Sequence, residues 1–413
     1  MREDQIATSL PYKVVKGVVI WYNMDNKACR EGHYNKNKGE QDLASAIEIK
    51  KKNRRNVFQI IYDERKISKS EIAKRLELSM PTIAQNLSGL FDKKLIYVDG
   101  TFDSTGGRKA QAIAFNAGAR YSIGIDITKN HISGVLINLY GEIIYSVRLR
   151  FRFQSKDSYY SELKNLVEHV IEKGGVDENS VLGVGISIPA IVEKDNKTVS
   201  YIPIIEELAT IYDDLRGYLS LPYGIFNDSN CGGYAELWHQ KQVKNMFYLS
   251  LSNSVGGAVL LDNEVYNGES RHSGEIGHTT LEVNGRLCYC GKRGCVDAYC
   301  NAQNLSNLTD GDLKRFFELV DAGDEECTAA WEEYLYYLAV VVNNLNNILD
   351  CDIILGGYVG GYMEKYMDKL RRLVVERSTF KTDASFIRTC YFTHEAAAVG
   401  AALYFVDEFI NEI

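Results

Sequence analysis

Proline is scarce in this chain, 5 residues in 413, and the 34 glycines follow no repeat, which excludes collagen-like and low-complexity architectures. Long apolar runs are missing too. The stretch Leu338 to Val342 is soon broken by Asn343, well short of the about 18 residues a membrane-spanning helix needs. The opening Met1-Arg2-Glu3-Asp4 carries acids early, and the short run Val18 to Tyr22 lacks a signal-peptide layout, so the expectation is a cytoplasmic protein with no membrane partner. There is no overall surplus of positive charge: the formal net charge is -8, which for the whole chain argues against nucleic acid. What is present is the balance of a soluble globular protein, with 45% hydrophobic and 25% charged residues. The length suits two or three domains.

The charge is uneven. Residues 50–110 carry 14 lysines and arginines against 7 aspartates and glutamates, whereas the remainder carries 33 against 48. A basic module joined to an acidic body is the footprint of a nucleic-acid binder with a separate effector domain; a solvated basic face with no partner is the plainer alternative.

Within the basic module the periodicity predicts three helices. Val57, Ile60 and Ile61 share one helical face from about Asn53 onward. Ser68 or Ser70 can cap a helix containing Ile72, Ala73 and Leu76. After the turn Glu77-Leu78-Ser79, Ser79 can cap a third helix with Pro81 in its first turn and Ile83, Leu87 and Leu90 facing inward. Strands at Leu95–Val98 and Ala110–Phe115 then flank a glycine-containing turn. This order is that of a winged helix-turn-helix, with the third helix entering the major groove of double-stranded DNA. Ser79, Thr82, Gln85, Asn86 and Ser88 are the candidate base and phosphate contacts on that helix, and Arg108 and Lys109 on the wing. Residues 1–48 read as a flexible extension, 49–118 as the DNA-binding domain and 119–413 as the effector domain.

From Tyr121 the pattern changes to α/β. Three closely spaced strand candidates (121–128, 132–139, 142–150) precede a helix near 161–172 and a buried strand at Val181–Ile188. The three-strand opening recurs in weaker form from Phe247, which predicts two α/β lobes with a ligand cleft between them.

Nine cysteines are present, and three stand within eight residues, Cys288-Tyr289-Cys290-Gly291-Lys292-Arg293-Gly294-Cys295, with His278 ten residues upstream. Three thiolates and an imidazole suit a closed tetrahedral Zn²⁺ site of the structural kind, so His278, Cys288, Cys290 and Cys295 are the expected ligands. Unrelated free thiols or a redox loop are the alternatives.

Several motifs together resemble the ROK family (repressors, open reading frames and sugar kinases): Gly274-Glu275-Ile276-Gly277-His278 before the cysteine run, Phe226-Asn227-Asp228-Ser229-Asn230, Ile354-Leu355-Gly356-Gly357 and Gly400-Ala401-Ala402. The resemblance covers about residues 53–405, and the winged helix is similar to that of the family's repressor branch of xylose and N-acetylglucosamine repressors. It implies a two-lobed actin/hexokinase-like fold with a structural zinc loop. It also implies sugar contacts from Asn227, Asp228, Glu275 and His278, the last bridging zinc and sugar through its two ring nitrogens. Family kinases carry Glu two residues after the last zinc cysteine; Asp297, one methylene shorter, stands there and is the fifth candidate.

In the family's kinases Asp228 would be the general base for phosphoryl transfer. The segments matching the phosphate-binding glycine loops are altered, however. They read Gly124-Ile125-Asp126-Ile127-Thr128-Lys129-Asn130 and Ser252-Asn253-Ser254-Val255-Gly256-Gly257. Side chains there obstruct close phosphate approach. The expected function is therefore a non-enzymatic repressor of carbohydrate-utilisation genes. It would be a homodimer or homotetramer released from its operator by a monosaccharide such as xylose. An active, glucokinase-like ATP-dependent sugar kinase with an accessory DNA-binding domain is the alternative. A regulator governed by a protein partner, its sugar cleft vestigial, is a third.

Overall fold

A computed structural model describes residues 12–15, 18–21, 37–102, 109–202, 204–240, 243–380 and 383–413, with side chains from Ile49 onward. Two units are distinguished, residues 1–54 and 55–413. The first holds an antiparallel hairpin, β1 (Tyr12–Val15) with β2 (Val18–Trp21), and the opening turns of helix α1 (Asn37–Glu64). That helix begins sixteen residues before its apolar periodicity does. Residues 37–52 are mostly good helix formers such as Lys, Glu, Gln and Ala, and propensity leaves no periodic signature.

In the second unit, β3 (Lys66–Ser68), α2 (Lys69–Leu76), α3 (Met80–Asp92), β4 (Ile96–Thr101) and β5 (Gln111–Phe115) build a winged helix. Ser68 caps α2 by accepting from the Glu71 amide at 3.2 Å. Ser79 caps α3 through Thr82 N, and Pro81 sits where its missing N–H has no cost. The wing is three-stranded, in the order β3-β5-β4. The extra strand, only three residues long, is too short to leave an alternating pattern. Val57, Phe58, Ile61, Ile72, Ile83, Leu87 and Leu90 are all buried in its core.

Each lobe is a five-stranded sheet of one plan. In the first, β6 (Tyr121–Ile127) pairs antiparallel with β7 (His131–Asn138), which pairs with β8 (Ile143–Arg150). On its other side β6 is parallel to β9 (Val181–Ile188), and β9 to β12 (Tyr223–Asn227). Helix α4 (Asp157–Gly174) covers this sheet, while β10 (Ile191–Val192) with β11 (Val199–Tyr201) and a short α5 (Ile211–Asp214) lie in the connection. Helix α6 (Asp228–His239) then leads to the second lobe. There β13 (Met246–Leu251) pairs antiparallel with β14 (Val255–Leu261), which pairs with β15 (Glu264–Tyr266), and β13 is parallel to β16 (Asp352–Gly356), itself parallel to β17 (Ile387–Thr389). The recurrence anticipated from Phe247 is thus a repeat of the whole sheet order. Between β15 and β16 come α7 (Asp297–Cys300), α8 (Gln303–Ser306), α9 (Leu313–Ala322) and α10 (Glu325–Leu349). Helices α11 (Gly357–Gly360) and α12 (Met367–Val375) precede β17.

The closing helix α13 (Ala396–Asn411) lies on the first sheet so closely that a Cβ at Gly124 would stand 1.8 Å from Ala398 O, and one at Gly185 2.0 Å from Ala401 O. The winged helix is continuous with this lobe: Val57, Phe58 and Phe115 share a core with Val135, Leu139, Val399 and Ile413. Tyr62 Oη donates to Leu139 O at 3.2 Å, Tyr140 Oη to Tyr62 O at 3.3 Å and Trp238 Nε1 to Tyr140 O at 3.0 Å. Among the described residues no helix is long and apolar enough to cross a membrane.

Candidate functional site

Between the lobes lies a cavity of about 370 Å³, lined from the first lobe by Asp126, Lys129 and His131 and from the second by Ser252, Asn253 and Tyr358. Asp228 borders it at the start of α6. Its Oδ1 accepts from the Ser229 amide at 2.7 Å. Burial, reinforced by repulsion from Asp126, pushes the Asp228 pKa up to about 7. Asp126, at the end of β6, is pushed up to about 6 by burial, against the lowering effect of the Ser187 hydroxyl and of Arg148. A carboxyl poised near neutrality beside a second one can accept or donate a hydrogen bond to a hydroxyl ligand.

Asn227 and Asp228 are neighbours in sequence, and the Asp228 carboxyl lies close enough to Glu275 for the two to repel. Asn227 and Glu275 line a second cavity of about 230 Å³ together with Asn230, Asn267, Arg271 and Ser273. Asn227 caps α6 by accepting from Asn230 N at 2.9 Å and donates to Ala190 O at 3.0 Å, so part of its hydrogen-bonding capacity is committed to the fold. Burial raises the Glu275 pKa, countered by His278 and His272.

The proposed metal ligands converge. The ligand atoms of His278, Cys288, Cys290 and Cys295 all lie within 4.8 Å of one another. Cys288 Sγ is 3.9 Å from His278 Nδ1, and Cys290 Sγ 3.7 Å from Cys295 Sγ. Positive φ at Gly291 and Gly294 lets the loop turn around this point. One nitrogen and three sulfurs in a compact, partly buried cluster fit zinc. The second ring nitrogen of His278 lies 3.2 Å from the Tyr289 hydroxyl, and Tyr289 reaches the interlobe cavity. One expectation needs correction here. Asp297 is only 1% exposed and lines neither cavity. Its Oδ2 accepts from Val255 N at 2.6 Å and its Oδ1 from Asn301 Nδ2 at 3.3 Å. The shorter side chain ties α7 to the β13–β14 turn instead of reaching a ligand.

Around the interlobe cavity the two altered glycine loops present side chains. Thr128 Oγ1 closes the β6–β7 turn with His131 N and O, both at 3.1 Å. Arg148 of β8 spans the cleft to Tyr358, donating to its hydroxyl at 3.1 Å with the guanidinium 5.0 Å from the ring centre. Nothing in the sequence flagged this pair, although a bulky residue directly after Gly356-Gly357 is a usable signal. Tyr289, between two zinc cysteines, is another.

On the winged helix, Gln85 and Ser88 are exposed on α3 and Thr82 partly so. Ser79 and Thr82 hydroxyls pair at 2.8 Å at the helix start. Asn86 departs from the expected exposure: it is 5% exposed, and its Nδ2 donates to Thr82 O at 2.8 Å. It belongs to the inner face with Ile83, Leu87 and Leu90, which an i, i+3, i+4 spacing explains. Lys109 is exposed, and Arg108 lies outside the described residues.

A two-lobed α/β fold of repeated sheets, with a His-Cys₃ loop beside the cleft and a winged helix on the first lobe, defines a class shared by sugar kinases and repressors. The model of the ROK family matches residues 122–408, and the chain belongs to that family. It is 26% identical to the "Xylose repressor" of Bacillus subtilis (strain 168) over 381 residues, 90% of this chain and 99% of the relative. In fold it resembles a ROK family transcriptional regulator, a homolog of the E. coli Mlc protein (TM-score 0.67, 18% identity, 88% of this chain and 97% of that one). It also resembles a ROK family glucokinase from Streptomyces griseus in complex with glucose and AMPPNP (TM-score 0.57, 20% identity, 69% and 98%). Relatives of both kinds, repressors and kinases, are thus found.

Proposed function

We propose that this protein is a cytoplasmic transcriptional repressor whose grip on operator DNA is set by a monosaccharide, xylose or a related sugar, bound between or beside the two lobes. One observation carries the reading. The chain keeps a polar pocket with two carboxyls, whereas the turns that would cradle nucleotide phosphates carry Lys129, Asn130 and Asn253, and the Arg148–Tyr358 pair from β8 and α11 crosses the cleft. Backbone N–H groups behind such side chains are poorly placed for phosphate. Likeness to a xylose repressor over nearly the whole chain supports the same reading.

The protein acts as a homodimer or homotetramer that presents two copies of α3 to a palindromic site. Gln85 and Ser88 face the DNA, with Ser79 and Thr82 at the helix start and Lys109 beside the wing strand β5; Arg108 is a further candidate contact by its sequence alone. Zn²⁺ would be held by His278, Cys288, Cys290 and Cys295; bound there, it would favour the thiolate forms and fix the tautomer of His278. His278 in turn orients Tyr289 at the mouth of the cavity. Asp228 and Glu275 receive sugar hydroxyls. Ligand changes the angle between lobes, and the shared core of Val57, Phe115, Leu139 and Val399 carries that change to the winged helix without a slack linker. A differential affinity of about 1–3 kcal/mol suffices for a switch, and DNA must weaken sugar binding by the same factor. Titration of operator DNA with and without candidate sugars tests this: affinity should fall when the effector is present. An affinity unmoved by any sugar that the protein binds would refute it.

An active sugar kinase is the second reading, favoured by the Asp228 pKa of about 7, which suits a general base. Sugar-dependent ADP release abolished by Asp228→Asn would establish it in place of the first.

A further inference from the structure

The cavity beside Glu275 contains a residue that the motifs do not explain. Arg271 has φ +60, in the left-handed region that favours glycine. A non-glycine residue held there is strained and persists where the surroundings fix it. The guanidinium is fixed: Nη1 donates to Asn267 Oδ1 at 3.3 Å, and the same oxygen accepts from Asn230 Nδ2 at 3.1 Å. Asn267 Nδ2 in turn donates to Val265 O at 3.1 Å. The Nε of Arg271 is buried without a hydrogen-bond partner, and among the described residues no carboxylate forms an ion pair with this guanidinium. Arg271 is half-buried, and a partly desolvated cation without a counter-ion is less favourable than one in water. It becomes favourable when an oxyanion arrives, since charge-assisted hydrogen bonds from guanidinium are among the stronger ones. Lys194 stands on the same cavity, so its wall carries two cations against the single acid Glu275.

We propose that this cavity takes an acidic monosaccharide, with Arg271 receiving its carboxylate or phosphate while Glu275 and the neighbouring asparagines receive its hydroxyls. The proposal rests on the carbohydrate reading above and, at this cavity, sets an acidic sugar in place of the neutral one named there. A neutral aldose would fill the space and leave the guanidinium uncompensated.

Calorimetry on the full chain at fixed ionic strength, with glucose, xylose, glucuronate, glucose 6-phosphate and inorganic phosphate as probes, tests it. At least one acidic hexose should bind tenfold or more tighter than glucose, and which one does so separates the carboxylate from the phosphate source. Arg271→Gly should erase that preference, so that acidic and neutral sugars bind alike. The variant should also melt no lower than wild type, because glycine adopts this φ without strain. Neutral sugars binding as well as acidic ones in the wild type, or Arg271→Gly keeping the preference, overturns the inference and leaves the carbohydrate reading intact. Inorganic phosphate binding as tightly as glucose 6-phosphate overturns the sugar part of it. No binding by any sugar overturns both.

Discussion

Replacing Asp228 with asparagine should make the protein more stable, and more so as pH rises. The carboxyl is buried beside Asp126, and its pKa moves from 3.8 to about 7 on folding. Between those values the folded state binds more protons than the unfolded one. Stability therefore declines as pH climbs from about 4 to about 7 and stays lowered above. A shift of this size costs on the order of 4 kcal/mol at pH 8 and about 2 kcal/mol at pH 5, at 1.36 kcal/mol per pKa unit. Asparagine has no ionisation to suppress, and its Oδ1 can still accept from the Ser229 amide. It also relieves Asp126 of a charged neighbour. Urea unfolding at pH 5 and pH 8, compared between wild type and variant, reads the effect. The stability gain should be larger at pH 8 by roughly 2–3 kcal/mol. An equal gain at both pH values, or a variant less stable at pH 8, would refute the buried-carboxyl argument.

Three further perturbations probe separate parts of the molecule. Cys290→Ser should remove bound zinc, from one per chain to none by elemental analysis, and lower the melting temperature; a variant still holding one zinc per chain contradicts the ligand assignment. Gln85→Ala should weaken binding to an operator selected from a random DNA pool by about 1–3 kcal/mol if Gln85 makes a bidentate contact to adenine, with relaxed preference at one base pair. Unchanged preference removes it from the reading set. Glu236→Ala should destabilise the fold by about 2–5 kcal/mol, because its buried carboxylate accepts from Tyr391 N at 2.9 Å and from Phe392 N at 2.9 Å and both donors would be stranded. A urea midpoint within error of wild type would show that water replaces those bonds.

Features coded by short-range pattern are legible in the amino-acid sequence alone. The His-Cys₃ cluster spans 18 residues, from His278 to Cys295, and turns at Gly291 and Gly294 help its donors to meet. The winged helix announces itself through Ser79, Pro81 and the spacing of Ile83, Leu87 and Leu90, because caps and helical faces are local properties. Strand triplets at 121–150 and 247–261 likewise carry their own alternation and turns. Even here the short strand Lys66–Ser68 and the inward turn of Asn86 escape, since three residues make no period and a polar name does not fix a helical face.

Only the tertiary structure decided how the candidate ligand residues divide. Asn227 lines one cavity and Asp228 another, yet the Asp228 carboxyl stays close enough to Glu275 for the two to repel, which no motif spacing shows. Arg148 and Tyr358 are 210 residues apart and meet only because the lobes face each other. The φ of Arg271 and the engagement of Asp297 by Val255 N are set by packing around them. The amino-acid sequence by itself determined the basic module, the His-Cys₃ cluster and the doubled α/β plan, because backbone preference and burial act over a few residues. Which oxygens remain free for a ligand was settled by long-range packing, because a side chain already bonded within the fold has nothing left to offer.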